Sequence, residues 1–246
     1  MIELILFCFV TIFITITHSI FGAGILTFGM PLLLSVGYSY NYTISFLVPL
    51  SFVISMLVVW EDRKIIFSDP FVKTLSLYSL PLVLCFSWLS LTYSSPNELK
   101  FIIGIFLFIS GLARLSDRVR TPFYYFIRKL NIFGFILMGA VQGFASMGGA
   151  LLIPLVTMNH QEKEKVRALN SFAFAAFTIM QMVMMFGVKG QVFSVSFFVY
   201  IILGILAHYV LGQRIHKKID LRLFYNLLTF LMIFNSVVLL AQYFIH

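Results

Sequence analysis

Two short segments hold the residue types that could bind a small anion. The first reads His18-Ser-Ile-Phe-Gly22-Ala23-Gly24-Ile25-Leu-Thr27-Phe-Gly29-Met-Pro31, the second Gln142-Gly143-Phe-Ala-Ser146-Met147-Gly148-Gly149-Ala-Leu-Leu-Ile-Pro154. Each is a glycine-rich break, then a short apolar stretch, then Pro-Leu. A helix restarting after such a break opens with backbone N–H groups that lack partners within it. Its dipole adds about half a positive charge there. Two such ends converging would hold an oxyanion without Lys or Arg, and none sits mid-span. Glycine permits close approach of a ligand to the backbone. The expected binding residues are Gly22, Ala23, Gly24, Ile25 and Thr27 with Ser146, Met147, Gly148 and Gly149. Thr27 and Ser146 add hydroxyls.

Three polar side chains lie beside the breaks. Gln142 precedes the second break and is read as a site residue in preference to interhelical glue. Gln181 lies midway along an apolar stretch, and His18 precedes the first break. His18 has three readings: binding the anion, relaying a proton, or satisfying a backbone carbonyl. Asn41 and Asn170 read as helix caps, and His208 as a packing residue. Trp60, Trp88 and the Tyr38/Tyr40/Tyr42 cluster read as interfacial anchors. Arg114 and Arg167 read as rim charges that set topology.

The acids argue against catalysis. Glu3, Glu61, Asp62, Asp69, Glu98, Asp117, Glu162, Glu164 and Asp220 all fall in loops or at span ends. An intramembrane enzyme acting on a lipid phosphate would need acidic groups inside the membrane, so no catalytic residue is assigned. A non-transporting assembly subunit is the other alternative, and it would not need two matched breaks. Cys8 and Cys85 lie in apolar runs and read as packed thiols, in neither a disulfide nor a metal site. No metal and no cofactor is expected.

The elements that must position these residues are membrane helices. The chain has 246 residues, 61% hydrophobic and only 11% charged, with mean hydropathy +1.01. A soluble domain carries about 25% charged residues, so a soluble enzyme or a nucleic-acid binder is excluded. The expected partners are the lipid bilayer and a small anionic substrate, and the pattern fixes no oligomeric state. Apolar blocks cover 2–36, 42–60, 71–91, 99–113, 130–158, 167–187, 192–213 and 221–245. The first lacks the basic start of a signal peptide and reads as retained. As straight helices, 2–36 and 130–158 would reach about 52 Å and about 43 Å. A hydrocarbon core is only about 30 Å thick. Both over-long blocks carry the glycine breaks.

Charge then sets the topology. If every block crosses once, the Lys and Arg divide almost evenly between the two faces. If each long block enters, breaks and returns to its own face, loops 61–73, 114–129, 159–167 and 214–222 share one side. That side then holds fifteen of the 17 basic residues, as the positive-inside rule prefers. The expected fold is an all-α integral membrane protein of two inverted repeats. Each repeat is a broken, re-entrant helical hairpin plus three transmembrane helices. Repeat 1 covers 1–115, a loop covers 116–129, and repeat 2 covers 130–246, together forming a single membrane transport domain. Both termini fall outside. Helix packing alone would also use small residues. Two copies in over-long blocks that must reverse favour a functional break.

At Gly22-Ala-Gly24 followed by Pro31-Leu32-Leu33, and at Ser146-Met-Gly148-Gly149-Ala-Leu-Leu-Ile-Pro154-Leu155, the chain resembles the sulfite exporter TauE/SafE family. These small bacterial membrane permeases are also called the toluene sulfonate uptake permease family. The likeness spans nearly the whole chain. One departure is that the second break usually carries three adjacent glycines, whereas here Met147 precedes two. The resemblance implies a permease or exporter of sulfite, a sulfonate or another sulfur-containing organic anion, in the bacterial inner membrane. Alternating access between the inverted halves is the expected mode.

Overall fold

The computed structural model describes residues 2–93, 132–160, 162–189 and 196–245, with scattered positions between 101 and 125. The 99–113 span and the basic loop 114–129, with Arg114, fall mostly outside the described residues. Every regular element among the described residues is helical. Helix α1 covers Ile2–Phe21, α2 Ile25–Ser35 and α3 Tyr40–Ile66. Helix α4, Pro70–Thr74, runs through a π-helical turn at Leu75–Ser79 into α5, Leu80–Tyr93. The second half holds α6 (Ile132–Ala145), α7 (Gly149–Asn159) and α8 (Lys163–Lys189). Helix α9, Ser196–Ala207, passes through a π-helical turn at His208–Gly212 into α10, Gln213–Lys218, and α11 covers Leu221–Ile245. Among the described residues, five stretches are long and apolar enough to cross a membrane: Glu3–Phe21, Tyr40–Ile66, Pro70–Thr92, Lys163–Gly187 and Phe197–Lys218.

Both over-long blocks break at their glycines. Residues 22–24 and 146–148 leave the helix, and a short helix follows each. The short helices α2 and α7 each have 11 residues, and the long α3 and α8 that follow each have 27. At 1.5 Å per residue the long pair reach about 40 Å and the short pair about 16 Å. The Pro-Leu echo is one residue out of step with these boundaries. Pro31 is the seventh residue of α2, whereas Pro154 is the sixth of α7.

The first hairpin returns to its starting level. The ring of Phe7, early in α1, lies 5.1 Å from Tyr38 and 5.0 Å from Phe46. The chain therefore runs in along α1, turns at Gly22–Gly24 and comes back along α2. Helices α3 and α8 run antiparallel. Asp62 near the end of α3 bonds Arg167 near the start of α8. At the other end, Tyr40 of α3 and Gln181 of α8 both bond Ser146.

The basic loops gather at one end. Lys165 pairs with Asp69 at 2.8 Å, and Lys163 Nζ donates to the carbonyls of His216 and Ile219. Segments 61–73, 159–167 and 214–222 are thus neighbours, whereas eight single crossings would put 61–73 opposite the other two. Around the bundle, Trp60 and Trp88 are exposed, as membrane anchors would be. Tyr40 departs from that expectation: it is buried, while Tyr38 and Tyr42 stack beside Phe7. Cys85 is exposed rather than packed, and Cys8 is half-buried.

Candidate anion site at the two helix breaks

The breaks share one backbone construction. At the first, Gly22 N–H donates to the carbonyl of His18 at 2.7 Å, and Gly22 takes φ +70°. At the second, Ser146 N–H donates to the carbonyl of Gln142 at 2.9 Å, and Ser146 takes φ +57°. A left-handed residue just past the last helical turn is a common way to end a helix. Three residues later the chain restarts as a short helix, whose N-cap, Gly24 or Gly148, has no side chain to cap it.

The upstream side chain reaches forward to supply that cap. Gly24 N–H donates to His18 Nδ1 at 3.2 Å, and Gly148 N–H donates to Gln142 Oε1 at 2.7 Å. Each capping side chain is steadied from the long helix that follows. His18 Nε2 lies 2.9 Å from Ser55 Oγ of α3, and Gln142 Nε2 donates to Gln181 Oε1 of α8 at 3.4 Å. Because Nδ1 accepts from Gly24, the proton of neutral His18 sits on Nε2 and donates to Ser55. The His18 ring thus accepts from a backbone N–H and faces a hydroxyl, and does not satisfy a backbone carbonyl.

The breaks are also gripped across the halves. Asn170 Nδ2 donates to the carbonyl of Phe21, the last residue of α1, at 3.0 Å. Tyr40 OH donates to the carbonyl of Phe144 at 3.3 Å and lies 3.1 Å from Ser146 Oγ. Gln181 Nε2 donates to the same Ser146 hydroxyl at 2.8 Å. Asn170 and Asn41 are therefore not caps. Ser39 caps α3 by accepting from Tyr42 N–H, and Asn41 lies inside the helix. Arg167 is likewise more than a rim charge. It is 7% exposed, pairs with Asp62 at 2.7 Å, and its carbonyl lies against Gly22.

The two short helices meet at their first turns. A Cβ on Gly149 would stand 2.1 Å from Thr27 Oγ1 and 3.0 Å from the Phe174 ring. The Phe174 ring is 6.0 Å from that of His18, so it lies between the breaks. Among the described residues, the backbone N–H groups of Leu26, Thr27 and Gly149 have no hydrogen-bond partner. Thr27 Oγ1 is fully buried and also has no partner. Free donors from both halves thus face one buried junction. His18, Thr27, Gln142, Ser146, Met147 and Gln181 are all at most 1% exposed.

The structure sets Thr27 against Gly149 and links Gln142, Gln181, Ser146 and Gly148 at the second break and His18 and Gly24 at the first, with Ala23 and Met147 buried in the turns. Ser55, Phe174, Tyr40 and Asn170 were not assigned to the site. Only Asn170 gave a usable signal, as an amide inside an apolar stretch. The profile of the sulfite exporter TauE/SafE family matches residues 7–239, which include both breaks. Comparisons with curated proteins and with solved structures return no match. With that match spanning nearly all of its length, the chain belongs to the sulfite exporter TauE/SafE family and is a multi-pass membrane protein.

Proposed function

We propose that this protein carries sulfite, a sulfonate or another sulfur-containing organic anion across the bacterial inner membrane. The carrying observation is the junction of Thr27 with Gly149, where unpaired N–H donors from two short helices converge. Such ends favour an oxyanion through both hydrogen bonds and dipole. Unpaired backbone is tolerated at membrane depth only where protein or a wet cavity surrounds it. His18 and Gln142 hold the restarted helices in register and leave the next N–H groups to the substrate.

The two halves act as inverted repeats that rock about this junction, giving alternating access. Their antiparallel long helices and matched lengths support that reading. In this reading the 61–73 end faces the cytoplasm and both termini lie outside, supported by the clustered Lys and Arg. Cysteines introduced at Ser39 and Lys189 should react with an impermeant thiol reagent from outside, and those at Glu162 and Lys217 only from inside. Reaction at Ser39 and Glu162 from the same side overturns the topology.

Purified protein in liposomes, assayed for uptake of sulfite, alkyl sulfonates, sulfoacetate and simple carboxylates, tests the function. Saturable flux of a sulfur oxyanion is expected. Flux of carboxylates alone, or none, rejects the substrate class.

A further inference from the structure

A second buried polar cluster lies on the basic side of the first break. His208 is fully buried within the π-helical turn His208–Gly212. Such turns insert one residue and re-aim side chains, often at functional sites. Here Gly212 packs on Ser19, where a Cβ would meet the Ser19 side chain at 2.4 Å. This brings the His208 ring against α1. Ser19 Oγ lies 2.7 Å from the carbonyl of Thr15 and 2.7 Å from His208 Nδ1. The hydroxyl gives its one proton to that carbonyl, so it accepts from His208 Nδ1–H. The other ring nitrogen, Nε2, is then the basic one. It faces Glu61 Oε1 at 3.7 Å and Gln213 Nε2 at 3.4 Å. Glu61 is 27% exposed, so its carboxylate reaches from solvent to the ring.

The charged and titratable groups around this ring come from three other helices. Glu61 and Asp62 approach from α3, Arg167 from α8 and His18 from α1. His216, one turn further along, is occupied with the carbonyl of Ile20. Arg167 is shared between Asp62 at 2.7 Å and Glu61 at 3.7 Å. Asp62 takes the closer guanidinium contact, and Glu61 keeps its carboxylate beside the His208 ring, its Oε1 also accepting from Gln213 Nε2.

We propose that His208 Nε2, reached through Glu61, is a proton-binding site that couples anion movement to protons. It rests on the anion-transport reading. A proton arriving at Glu61 passes to Nε2, the N–H bond forms there, and the Glu61 carboxylate is restored opposite an imidazolium. The new charge sits on His208 against Ser19 in the last turn of α1, beside the break that opens the anion site. Anion and proton therefore favour each other's binding, and linkage makes the effect reciprocal. Cargo and proton travel in the same direction.

The test uses the full-length protein in nanodiscs, with methanesulfonate as a probe that stays ionised throughout. Nitrogen NMR of labelled histidines over a pH series, with His208 assigned by His208→Asn, should show Nε2 taking a proton as the solution is acidified. Glu61→Gln should move that titration to lower pH. Calorimetry should show methanesulfonate affinity rising at least about fivefold over the same range, the lower end for coupled sites, with proton uptake on binding. Both effects should vanish in His208→Asn, which keeps a donor toward Ser19. If that variant does not fold, the Glu61→Gln shift alone decides. A ring that stays neutral over the range, or an affinity independent of pH, overturns the coupling. Failure of the wild type to bind methanesulfonate overturns the sulfonate reading and the coupling together, while the ring titration still settles the proton site.

Discussion

The two breaks reach the same backbone path with different residues. The first uses Gly22 in the left-handed conformation and a histidine cap, while the second uses Ser146 and a glutamine cap. Left-handed backbone costs a non-glycine residue roughly 1–2 kcal/mol. Ser146 offsets that cost with a hydroxyl bonded to Gln181 and Tyr40. Gly22 cannot carry a side chain at all, because a Cβ would lie 2.2 Å from the carbonyl of Arg167. One break is therefore held by close packing against the opposite half and the other by a polar network.

The largest effects should come where the short helices start. Gly24→Val drives a side chain into the backbone of Thr17 and His18 in the last turns of α1. Neither neighbour can yield, so folded protein and flux should both be lost. Gly149→Ala meets instead the side chain of Thr27, in the other half. Overpacking of this kind costs about 1–3 kcal/mol, and it should be relieved in thermal melts by adding Thr27→Ala. Anion affinity should stay low in that double variant, because the Thr27 hydroxyl is gone. Recovery of full affinity would show that the junction only packs helices.

Next in size are the left-handed residues. Gly22→Ala should destabilise strongly for both steric and conformational reasons. Ser146→Gly releases the backbone strain but forfeits two hydrogen bonds of about 1 kcal/mol each. The net change should stay within about 1 kcal/mol. Ser146→Ala keeps the strain and loses the bonds, so it should be the worse of the pair by about 1–2 kcal/mol. Denaturant melts in matched micelles that rank Ser146→Gly below Ser146→Ala would contradict this account of the second break.

How far the sequence exposed this construction depends on the range of each signal. The breaks were legible because over-long apolar blocks cannot stay straight in a bilayer, and the Lys and Arg count required them to turn back. The caps were legible only as polar residues of uncertain use. That His18 and Gln142 reach forward six residues follows from the left-handed turn between them, which composition does not reveal. Tyr40 and Asn170 were misread because their partners lie in the opposite half of the chain. Nothing local to Tyr40 distinguishes it from Tyr38 and Tyr42, which do lie at the bundle end. Ser55 and Phe174 carry no signal, being ordinary residues of apolar helices.

The caps give a smaller and more diagnostic effect. Gln142→Ala leaves Gly148 N–H without an acceptor and should weaken anion binding or stability by about 1–3 kcal/mol, the penalty of an unmade buried bond. His18→Gln offers an amide oxygen in place of Nδ1, copying the second break. Transport should survive it far better than His18→Ala. If both variants fail equally in liposome flux, the ring does more at the first break than cap Gly24.

The smallest effect concerns the turns that lead from the short helices into the long ones. After α2 the turn Val36-Gly-Tyr-Ser39 carries no charge, whereas after α7 the turn holds His160 and Glu162 beside Asp69 and Lys165. Burial alone would raise the Asp69 carboxyl, but hydrogen bonds from Lys165 and Phe71 N–H, with the charges of His160 and Lys165, bring it below its ordinary value. Burial lowers His160, and Asp69 only partly counters this. Both shifts have the same consequence. A depressed carboxyl stabilises the fold above its unfolded value of about 3.9, and that contribution fades as pH falls through the folded value. A depressed histidine must be charged against its environment below about 6.5. Acidification from neutral pH should therefore loosen the α7–α8 turn while leaving the α2–α3 turn unchanged. Hydrogen exchange at the two turns measures this directly, with faster exchange expected only around residues 160–166 at low pH. Asp69→Asn should remove most of the difference, since it takes away the partner of Lys165 and His160 while keeping an oxygen to cap α4. Equal acceleration at both turns would mean that acid acts on the whole bundle and not on the charged turn.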